Sequence, residues 1–301
     1  MSKVATVAVV GRTNAGKSTL VNALVGEKVS IVSPVEQTTR NTIRGMVADE
    51  RGQLVLLDTP GLHKAVGTLG RLLNRMARRS AAGTDILTVV FDAAEEPQLE
   101  DIGWMQRVAK ENPEKVVFVL NKADKAPFYE TMYRDAWEEA KSSLASTPTP
   151  TWVKCIASTP GGAKGVADAL FELAEEGEKL FDDDIVTDYP RKLAIADIIR
   201  EKYLAKLHQE LPHELGVWVK DITEGAGWEI EVEILVNRVS QKPIVIGKGA
   251  ETIKYVRKCA EREVGEVFGV KAKMELWVRV EPNWMKNEKL LARMGYLGEL
   301  V

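Results

Sequence analysis

The stretch at residues 11–18 constrains the fold of this chain most, because it places the pattern G-x-x-x-x-G-K-[ST] between two recognisable elements. The β-branched apolar run at residues 4–10 predicts a buried strand before it, and the residues after it predict a helix. Glycines let backbone N–H groups point at phosphate oxygens, and a helix N-terminus attracts negative charge. A glycine turn that binds nothing would leave the lysine and the hydroxyl at these spacings unexplained. The sequence therefore predicts a phosphate loop built from Gly11, Arg12, Thr13, Asn14, Ala15, Gly16, Lys17, Ser18 and Thr19.

Composition limits the class of protein. At 301 residues the chain is long enough for about two domains. No long apolar run and no signal-type start follow Met1, so we expect a cytoplasmic protein, with peripheral membrane contact left open. The formal charge of −3 excludes a globally basic protein, so any nucleic-acid binding must come from a local patch. Cys155 and Cys259 lie far apart without a partner motif, which favours reduced thiols over a disulfide or a zinc site.

Apolar runs at residues 54–57, 86–91 and 116–120 repeat the strand pattern of residues 4–10, and segments of helical periodicity separate them. Strands that alternate with helices predict a doubly wound α/β domain with a mostly parallel sheet. Ligands of such sheets bind at the carboxyl ends of the strands. We therefore expect the polar residues that directly follow these strands to meet at one site.

Two groups of residues are predicted to bind the phosphates and Mg²⁺. Lys17 is expected to reach the β- and γ-phosphates, and the Ser18 hydroxyl to ligate Mg²⁺. Asp58 and Gly61 follow the strand at residues 54–57. The carboxylate can hold the water shell of Mg²⁺, and the Gly61 N–H can approach the γ-phosphate because no side chain obstructs it.

A polar loop at residues 33–41 contains Thr38 and Thr39. A threonine hydroxyl here can complete the Mg²⁺ shell only when the γ-phosphate is present, which would make the loop a sensor of triphosphate against diphosphate. We favour Thr39, and the sequence alone leaves Thr38 as the alternative.

Asn121, Lys122 and Asp124 directly follow the strand at residues 116–120. The Asp124 carboxylate can accept hydrogen bonds from guanine N1–H and its 2-amino group, whereas adenine offers neither and would leave the carboxylate unpaired. Asn121 is expected to brace the loops, and the Lys122 stem to lie along the base. The predicted base is therefore guanine.

The second half of the chain has a different pattern. A helix at residues 166–180 is expected to close the first domain, and an acidic run before Pro190 is typical of a solvated connector. We predict a first domain at 1–180, a linker at 181–190 and a second domain at 191–301. Alternating apolar residues at 229–236 and 272–280 predict an antiparallel sheet with helices on one face.

A second glycine-rich loop, V-I-G-K-G-A at residues 245–250, leads into a basic helix. Its predicted core stripe is Ile253, Val256, Ala260, Val264 and Val267. Open N–H groups at such a loop can clamp a nucleic-acid backbone, although glycine loops before basic helices also occur as plain turns. The candidate RNA-binding residues are Ile246, Gly247, Lys248, Gly249, Ala250, Lys254, Arg257 and Lys258.

With these motifs in order, the first domain resembles a Ras-like P-loop GTPase domain of the translation-factor-related class. Residues 190–285 resemble a KH domain of the type whose helix precedes its strands (type II). The combination resembles the Era family of bacterial GTPases over the whole chain. This resemblance implies a monomer that binds GTP and GDP with Mg²⁺, hydrolyses GTP slowly, binds the 3′ end of 16S ribosomal RNA and assists assembly of the 30S subunit, with some association with the inner membrane.

The chain departs from the family pattern at three places. Leu62 stands where Ras-like proteins have a catalytic glutamine, and relatives with an apolar residue here are often activated by K⁺. Asn14 matches the asparagine that holds K⁺ in those relatives, which would place catalysis on Asn14, Lys17, Thr39 and Gly61; a hydrogen bond within the loop is the alternative role for Asn14. The last base loop reads Ala157-Ser158 instead of Ser-Ala, which a backbone contact to guanine tolerates. Ala250 replaces the fourth glycine of the KH loop, which puts RNA affinity in question.

Two other classes of function stay open. A P-loop phosphotransferase such as a nucleoside kinase shares the phosphate loop, but the guanine motif at residues 121–124 argues against it. An RNA-binding scaffold that holds a nucleotide as a structural ligand is the second alternative. GTP turnover on isolated small subunits would reject it.

Overall fold

The structure is a computed structural model that describes residues 2–33, 39–61, 73, 83–207 and 211–296. The chain forms two compact units. The first extends to Asp188, and the second begins at Tyr189 and also takes in the described residues 31–33.

The first unit is an α/β layer structure around one sheet. Its strands are β1 (Ser2–Val10), β2 (Ile43–Asp49), β3 (Gly52–Asp58), β4 (Ile86–Asp92), β5 (Val116–Asn121), β6 (Thr151–Lys154) and β7 (Glu175–Gly177). Its helices include α1 (Lys17–Val25), α2 (Leu99–Glu111), α3 (Glu130–Lys141) and α4 (Lys164–Leu173). The strand order is β2-β3-β1-β4-β5-β6, parallel throughout except at β2, which pairs antiparallel with β3. The predicted doubly wound, mostly parallel fold is confirmed.

Both faces of this sheet are covered, as a parallel sheet of apolar strands requires. Val7 and Val9 of β1 belong to one buried cluster together with residues of α1 and α4. Ala8 and Val10 belong to another, with residues of α2 and α3. Side chains that alternate along β1 therefore fill opposite layers, and the polar loops are left at the carboxyl ends of the strands.

The helix predicted at residues 166–180 is wrong beyond Leu173. The backbone becomes extended at Ala174, and β7 pairs antiparallel with Ser2–Val4 at the start of β1. The Lys3 ammonium also donates to the carbonyl oxygens of Glu172 and Ala174, at 3.2 and 3.1 Å. Pairing with β1 gives this segment the backbone hydrogen bonds that a longer helix would have supplied.

The segment predicted as a linker is where the two units divide, and its residues up to Asp188 group with the first unit. The Gln53 side chain accepts hydrogen bonds from the N–H groups of Leu180 and Phe181, at 2.8 and 3.0 Å, and donates to the Phe181 carbonyl at 2.8 Å. The Met46 N–H donates to the Val186 carbonyl at 2.9 Å. These bonds attach the acidic segment to β2 and β3.

The second unit contains α5 (Arg191–Leu204), α6 (Leu211–Glu214), β8 (Gly216–Glu224), β9 (Trp228–Val236), α7 (Lys242–Ile246), α8 (Glu251–Phe268), β10 (Ala272–Val280) and α9 (Glu288–Arg293). Its sheet has the order β10-β9-β8. β8 pairs antiparallel with β9, but β10 pairs parallel with β9, so the prediction of an antiparallel sheet is wrong for that pair. The helices α7 and α8 form the crossover connection that parallel neighbours require.

The core of the second unit lies between this sheet and its helices. Ile230, Val232 and Ile234 are buried, as the alternation predicts, and pack with Val256 and Val264 of α8. Val267 is 47% exposed, so the predicted stripe of α8 ends before it. Within the described ranges, no helix combines the length and apolar character needed to cross a bilayer.

Candidate nucleotide site and RNA loop

The phosphate loop connects β1 to α1 and turns the Lys17 side chain inward. Lys17 is buried, and its ammonium donates to the Arg12 carbonyl oxygen at 2.8 Å. Burial lowers the pKa of Lys17 to about 8. A cation that is desolvated in this way gains most from a multiply charged anion, and phosphate is the anion that the surrounding loop suits.

Three oxygen-bearing side chains meet the requirements of a Mg²⁺ site. Ser18 Oγ and Thr39 Oγ1 lie 2.9 Å apart, although they come from separate loops. Asp58 is fully buried at the end of β3. Hydroxyl and carboxylate oxygens are the hard ligands that Mg²⁺ prefers, so these residues fit the ion. Thr38, the alternative ligand, lies outside the described residues.

Gly61 approaches the phosphate loop too closely for any other residue. A Cβ at this position would lie 2.9 Å from Lys17 Nζ and 2.9 Å from the backbone nitrogen of Thr13. The absence of a side chain therefore lets the backbone after β3 reach the phosphate loop. Leu62, the residue in place of the usual glutamine, lies outside the described residues.

Asn121 connects three loops. Its Nδ2 donates to the Ala15 carbonyl of the phosphate loop at 2.9 Å, and its Oδ1 accepts from the Ala157 N–H at 3.1 Å. Ala157 is buried, whereas Ser158 is exposed. Asp124 is 39% exposed and lies 3.9 Å from the Lys125 ammonium. The carboxylate is thus open to solvent at the edge where a base would sit.

The sequence interpretation missed an ionic cluster beside these loops. The Lys122 ammonium pairs with Asp92 at the end of β4. The Arg12 guanidinium pairs with Asp92, Glu95 and Asp101. Asp92 follows the apolar run at residues 86–91, so its strand-end position was the signal that could have revealed it. Asp101 belongs to α2 and has no such local signal.

Three residues in the glycine loop of the second unit have positive φ. Gly247 has a φ of +78°, and a Cβ there would lie 2.3 Å from Thr252 Oγ1. Gly249 and Ala250 follow with φ values of +59° and +62°, and α8 begins at Glu251. Ala250 keeps the turn of the missing glycine, at the steric cost that a Cβ brings in this region.

The basic residues near this loop lie on one exposed side. Lys254, Arg257 and Lys258 are exposed, and their spacing of three and four residues places them on one face of α8. The Lys254 ammonium donates to the Gly249 carbonyl at 3.2 Å. Lys248 is also exposed, and Ile246 is half-buried beside it. An anionic backbone that lay across the loop would meet cations next to open N–H groups.

Comparison with protein families matches two models to this chain. Residues 6–122 match a family described as a 50S ribosome-binding GTPase, and residues 210–285 match the KH domain. The matches agree with the two units of the structure.

Two relatives match nearly the whole chain. It is 36% identical over 298 residues to GTPase Era of Caldanaerobacter subterraneus, with 96% of each chain covered. It is 34% identical over 293 residues to GTPase Era of a Geobacter species, again with 96% of each covered.

Solved structures agree with these relatives. The fold matches Era in complex with MgGDPNP and nucleotides 1506–1542 of 16S ribosomal RNA, with a TM-score of 0.90, 32% identity, and 98% of this chain and 99% of the other covered. It matches an Aquifex aeolicus Era variant bound to GDP and aluminium fluoride, with a TM-score of 0.89, 32% identity and the same coverage.

Proposed function

The chain belongs to the Era family of GTPases, and from that premise we propose that it is a GTP-hydrolysing switch that binds 16S ribosomal RNA and assists 30S subunit assembly. It binds GTP and GDP with Mg²⁺ and converts GTP to GDP and phosphate. The observation that carries this proposal is the convergence at one sheet edge of the phosphate loop, Thr39, Gly61 and the guanine loop. Asn121, at the start of the guanine loop, contacts the phosphate loop at Ala15 and also contacts Ala157.

The residues around the phosphates have separate roles in the proposed mechanism. Lys17 supplies a buried positive charge to the β- and γ-phosphates, and the backbone of Gly61 presents its N–H to the γ-phosphate. Ser18 and Thr39 would hold Mg²⁺, with Asp58 acting through the water shell. When bound, Mg²⁺ neutralises charge on the phosphate oxygens. Thr39 would ligate Mg²⁺ in the triphosphate state and not in the diphosphate state, so its loop would distinguish GTP from GDP.

Asn14 is the residue that we propose to hold K⁺. It is exposed in the phosphate loop and has a φ of +60°, a conformation that asparagine adopts more readily than most residues. A monovalent cation at its side-chain oxygen would place positive charge beside the phosphates, where other GTPases use an arginine. This role compensates for Leu62, which cannot orient a water molecule.

The second unit supplies the proposed RNA site, which would bind the 3′ end of the ribosomal RNA. A KH groove accommodates about four single-stranded nucleotides, so a short exposed tail is a suitable ligand. The exposed cations Lys248, Lys254, Arg257 and Lys258 provide the electrostatic attraction that the overall charge of −3 does not. We further propose that the protein works in the cytoplasm as a monomer and contacts the inner membrane only peripherally.

Crosslinking to total RNA, with a non-hydrolysable GTP analogue and with GDP, tests both the partner and the switch. We expect enrichment of the 16S 3′ end and a different yield with the two nucleotides. Lys254→Glu should reduce the yield, whereas Lys289→Glu, an exposed charge reversal on α9, should not.

Three results would contradict the proposal in different ways. Equal yields with the two nucleotides would remove the switch and leave RNA binding intact. No GTP turnover on isolated small subunits would favour a scaffold. Transfer of radiolabelled phosphate from GTP to a small acceptor would favour a phosphotransferase.

A further inference from the structure

A buried ionic cluster connects the phosphate loop to the guanine loop of the first unit. Arg12 contributes one cation and Lys122 the other, and Asp92, Glu95 and Asp101 contribute three carboxylates. The Arg12 side chain is 13% exposed, and those of Asp92 and Asp101 are 3% and 0% exposed. Glu95 differs, because its side chain is 57% exposed.

Asp92 is shared by both loops. Its Oδ2 lies 3.5 Å from Arg12 Nη2 and also pairs with the Lys122 ammonium. Its own position is fixed, because its Oδ1 accepts from the Ala94 N–H at 3.2 Å and its carbonyl oxygen accepts from the Tyr133 hydroxyl at 2.9 Å. Asp92 is also the strand partner of Asn121 in the β4–β5 register. Substitution of Asp92 should therefore disturb both the phosphate loop and the guanine loop.

Of the two loops, Asp101 contacts only the phosphate loop, through Arg12. Its Oδ2 lies 3.2 Å from Arg12 Nε and accepts from the Gln98 N–H at 3.0 Å and from the Tyr133 hydroxyl at 3.3 Å. Its buried Oδ1 has no hydrogen-bond partner among the described residues. The carboxylate is thus anchored at the first turn of α2, and the oxygen that accepts these two hydrogen bonds is also the one that lies near the arginine.

The Arg12 backbone connects this cluster to the phosphate-binding lysine. The side chain of Arg12 is held by Asp92 and Asp101, while its carbonyl oxygen accepts from Lys17 Nζ at 2.8 Å. If the carboxylates no longer bind the guanidinium, the position of the Arg12 backbone is less well fixed, and so is the carbonyl oxygen that orients Lys17. Buried ion pairs of this kind are costly to break from one side, because the remaining charge stays desolvated.

We infer that Asp92 and Asp101 are positioning residues for nucleotide binding, Asp92 for the base and the phosphates and Asp101 for the phosphates alone. The inference rests on the proposed GTPase function, and it adds residues that do not touch the nucleotide. It also explains the arginine at the second position of the phosphate loop, since separate nitrogens of one guanidinium reach separate carboxylates, Nη2 toward Asp92 and Nε toward Asp101.

Equilibrium binding of GDP and of IDP, which lacks the 2-amino group, separates the two roles. Asp92→Asn should weaken GDP binding at least about tenfold. It should also narrow the preference for GDP over IDP, because the loop that carries Asp124 is no longer fixed. Asp101→Asn should weaken both ligands by a similar factor and leave the preference unchanged. Asp135→Asn is the matched control, since this exposed carboxylate on α3 lies outside the cluster, and it should stay within about twofold of the wild type.

A general loss of stability would lower the affinity without changing the preference between the bases, so the GDP to IDP ratio isolates the positioning role of Asp92. For Asp101 and Arg12, urea unfolding of the nucleotide-free variants separates a loss of stability from weaker nucleotide binding. If Asp92→Asn does not fold, Arg12→Lys replaces it in the test. A lysine has a single nitrogen in place of the separate Nη2 and Nε that face Asp92 and Asp101, so GDP and IDP should weaken together. Wild-type affinity for GDP in Asp92→Asn, or an unchanged ratio, would overturn the inference for Asp92. Wild-type affinity for GDP in Asp101→Asn or in Arg12→Lys would overturn the inference that these contacts position the phosphate loop. Absence of guanine nucleotide binding by the wild type would instead contradict the proposed function.

Discussion

Ser18 Oγ and Thr39 Oγ1 lie 2.9 Å apart, although the two residues are 21 positions apart in the chain and belong to different loops. The fold thus brings both hydroxyls to one point next to the phosphate loop. Thr39 is buried there.

Thr39→Ala should weaken binding of a GTP analogue with Mg²⁺ by about tenfold and change GDP binding little, because only the triphosphate state uses this hydroxyl. Thr39→Ser keeps the oxygen and should resemble the wild type. Titration calorimetry with both nucleotides measures the ratio. If Thr39→Ala keeps the wild-type ratio, the Mg²⁺ ligand is not Thr39, and Thr38 becomes the residue to test.

Asp124→Asn should weaken guanine nucleotides by roughly a hundredfold and improve the binding of xanthosine nucleotides, because the amide can donate to the xanthine oxygen. Competition between GDP and XDP for the same site measures the change in base preference. Asp135→Asn, an exposed change on α3, serves as the control. An Asp124→Asn variant that still prefers GDP would show that Asp124 does not select the base.

Replacement of K⁺ by Na⁺ should slow GTP hydrolysis by the wild type, and Asn14→Ala should remove the difference between the two ions. Asn112 offers a matched control, because it is another asparagine with positive φ, +48°, at the end of α2. Asn112→Ala should lose similar backbone stabilisation yet keep the dependence on K⁺. Equal rates of the wild type in both ions would exclude K⁺ from the mechanism.

Asp101 should make the folded state less stable as the pH rises. Burial raises its pKa to about 6, despite Arg12, the Gln98 N–H and the Tyr133 hydroxyl, which favour the charged form. The carboxylates of Glu100, on the same helix, and of Asp92 and Glu95, which share Arg12, add negative charge nearby.

Between the unfolded pKa near 4 and the folded value near 6, the folded state binds more protons than the unfolded state. The contribution of this group to the free energy of unfolding therefore falls by about 3 kcal/mol across that window. Asp101→Asn should lack this fall, so that the stability of the variant relative to the wild type should rise from pH 4 to pH 7. Urea unfolding across this range measures it, and parallel curves for the two proteins would contradict the prediction.

Ala250→Gly should raise the free energy of unfolding of the second unit by about 1 kcal/mol, because the φ of +62° is unfavourable for alanine and free for glycine. It should also strengthen RNA binding, since the backbone can be approached more closely. Ala292→Gly, in the helix α9, is a control for which the opposite effect is expected. Its free energy of unfolding should fall by about 1 kcal/mol. A destabilised Ala250→Gly variant would show that the loop tolerates the alanine without strain.

Much of the nucleotide site was predictable because its residues follow apolar strands. Asp58 and Asn121 each end a buried strand, and parallel strands bring those ends to one edge, so local patterns were enough to group them. The same rule applied to Asp92 would have placed it at the site. Asp101 and Tyr133 were not predictable, because their contacts depend on how α2 and α3 pack.

In the second unit, too, local patterns predicted some features and the tertiary packing decided others. The alternation at residues 229–236 correctly identified the buried face of β9, because the side-chain period of a strand is fixed by its geometry. It carried no information on the direction of β10, which the crossover through α7 and α8 makes parallel. The helix predicted beyond Leu173 was wrong for a similar reason. This segment forms the strand β7 because it pairs with the start of β1, and the local pattern of residues does not show that pairing.

By itself, the sequence identified the motifs of this protein: a phosphate-loop pattern, a strand-end carboxylate that is predicted to bind guanine, and a glycine loop before a basic helix. Each depends on residues that are neighbours in the chain, where backbone geometry leaves few choices. Only the tertiary structure decided how those pieces are held, namely the Ser18–Thr39 contact, the Asn121 bridge and the cluster of Arg12 with Asp92 and Asp101. Such contacts join residues far apart in the chain, and burial, which gives them their strength, exists only once the layers have packed.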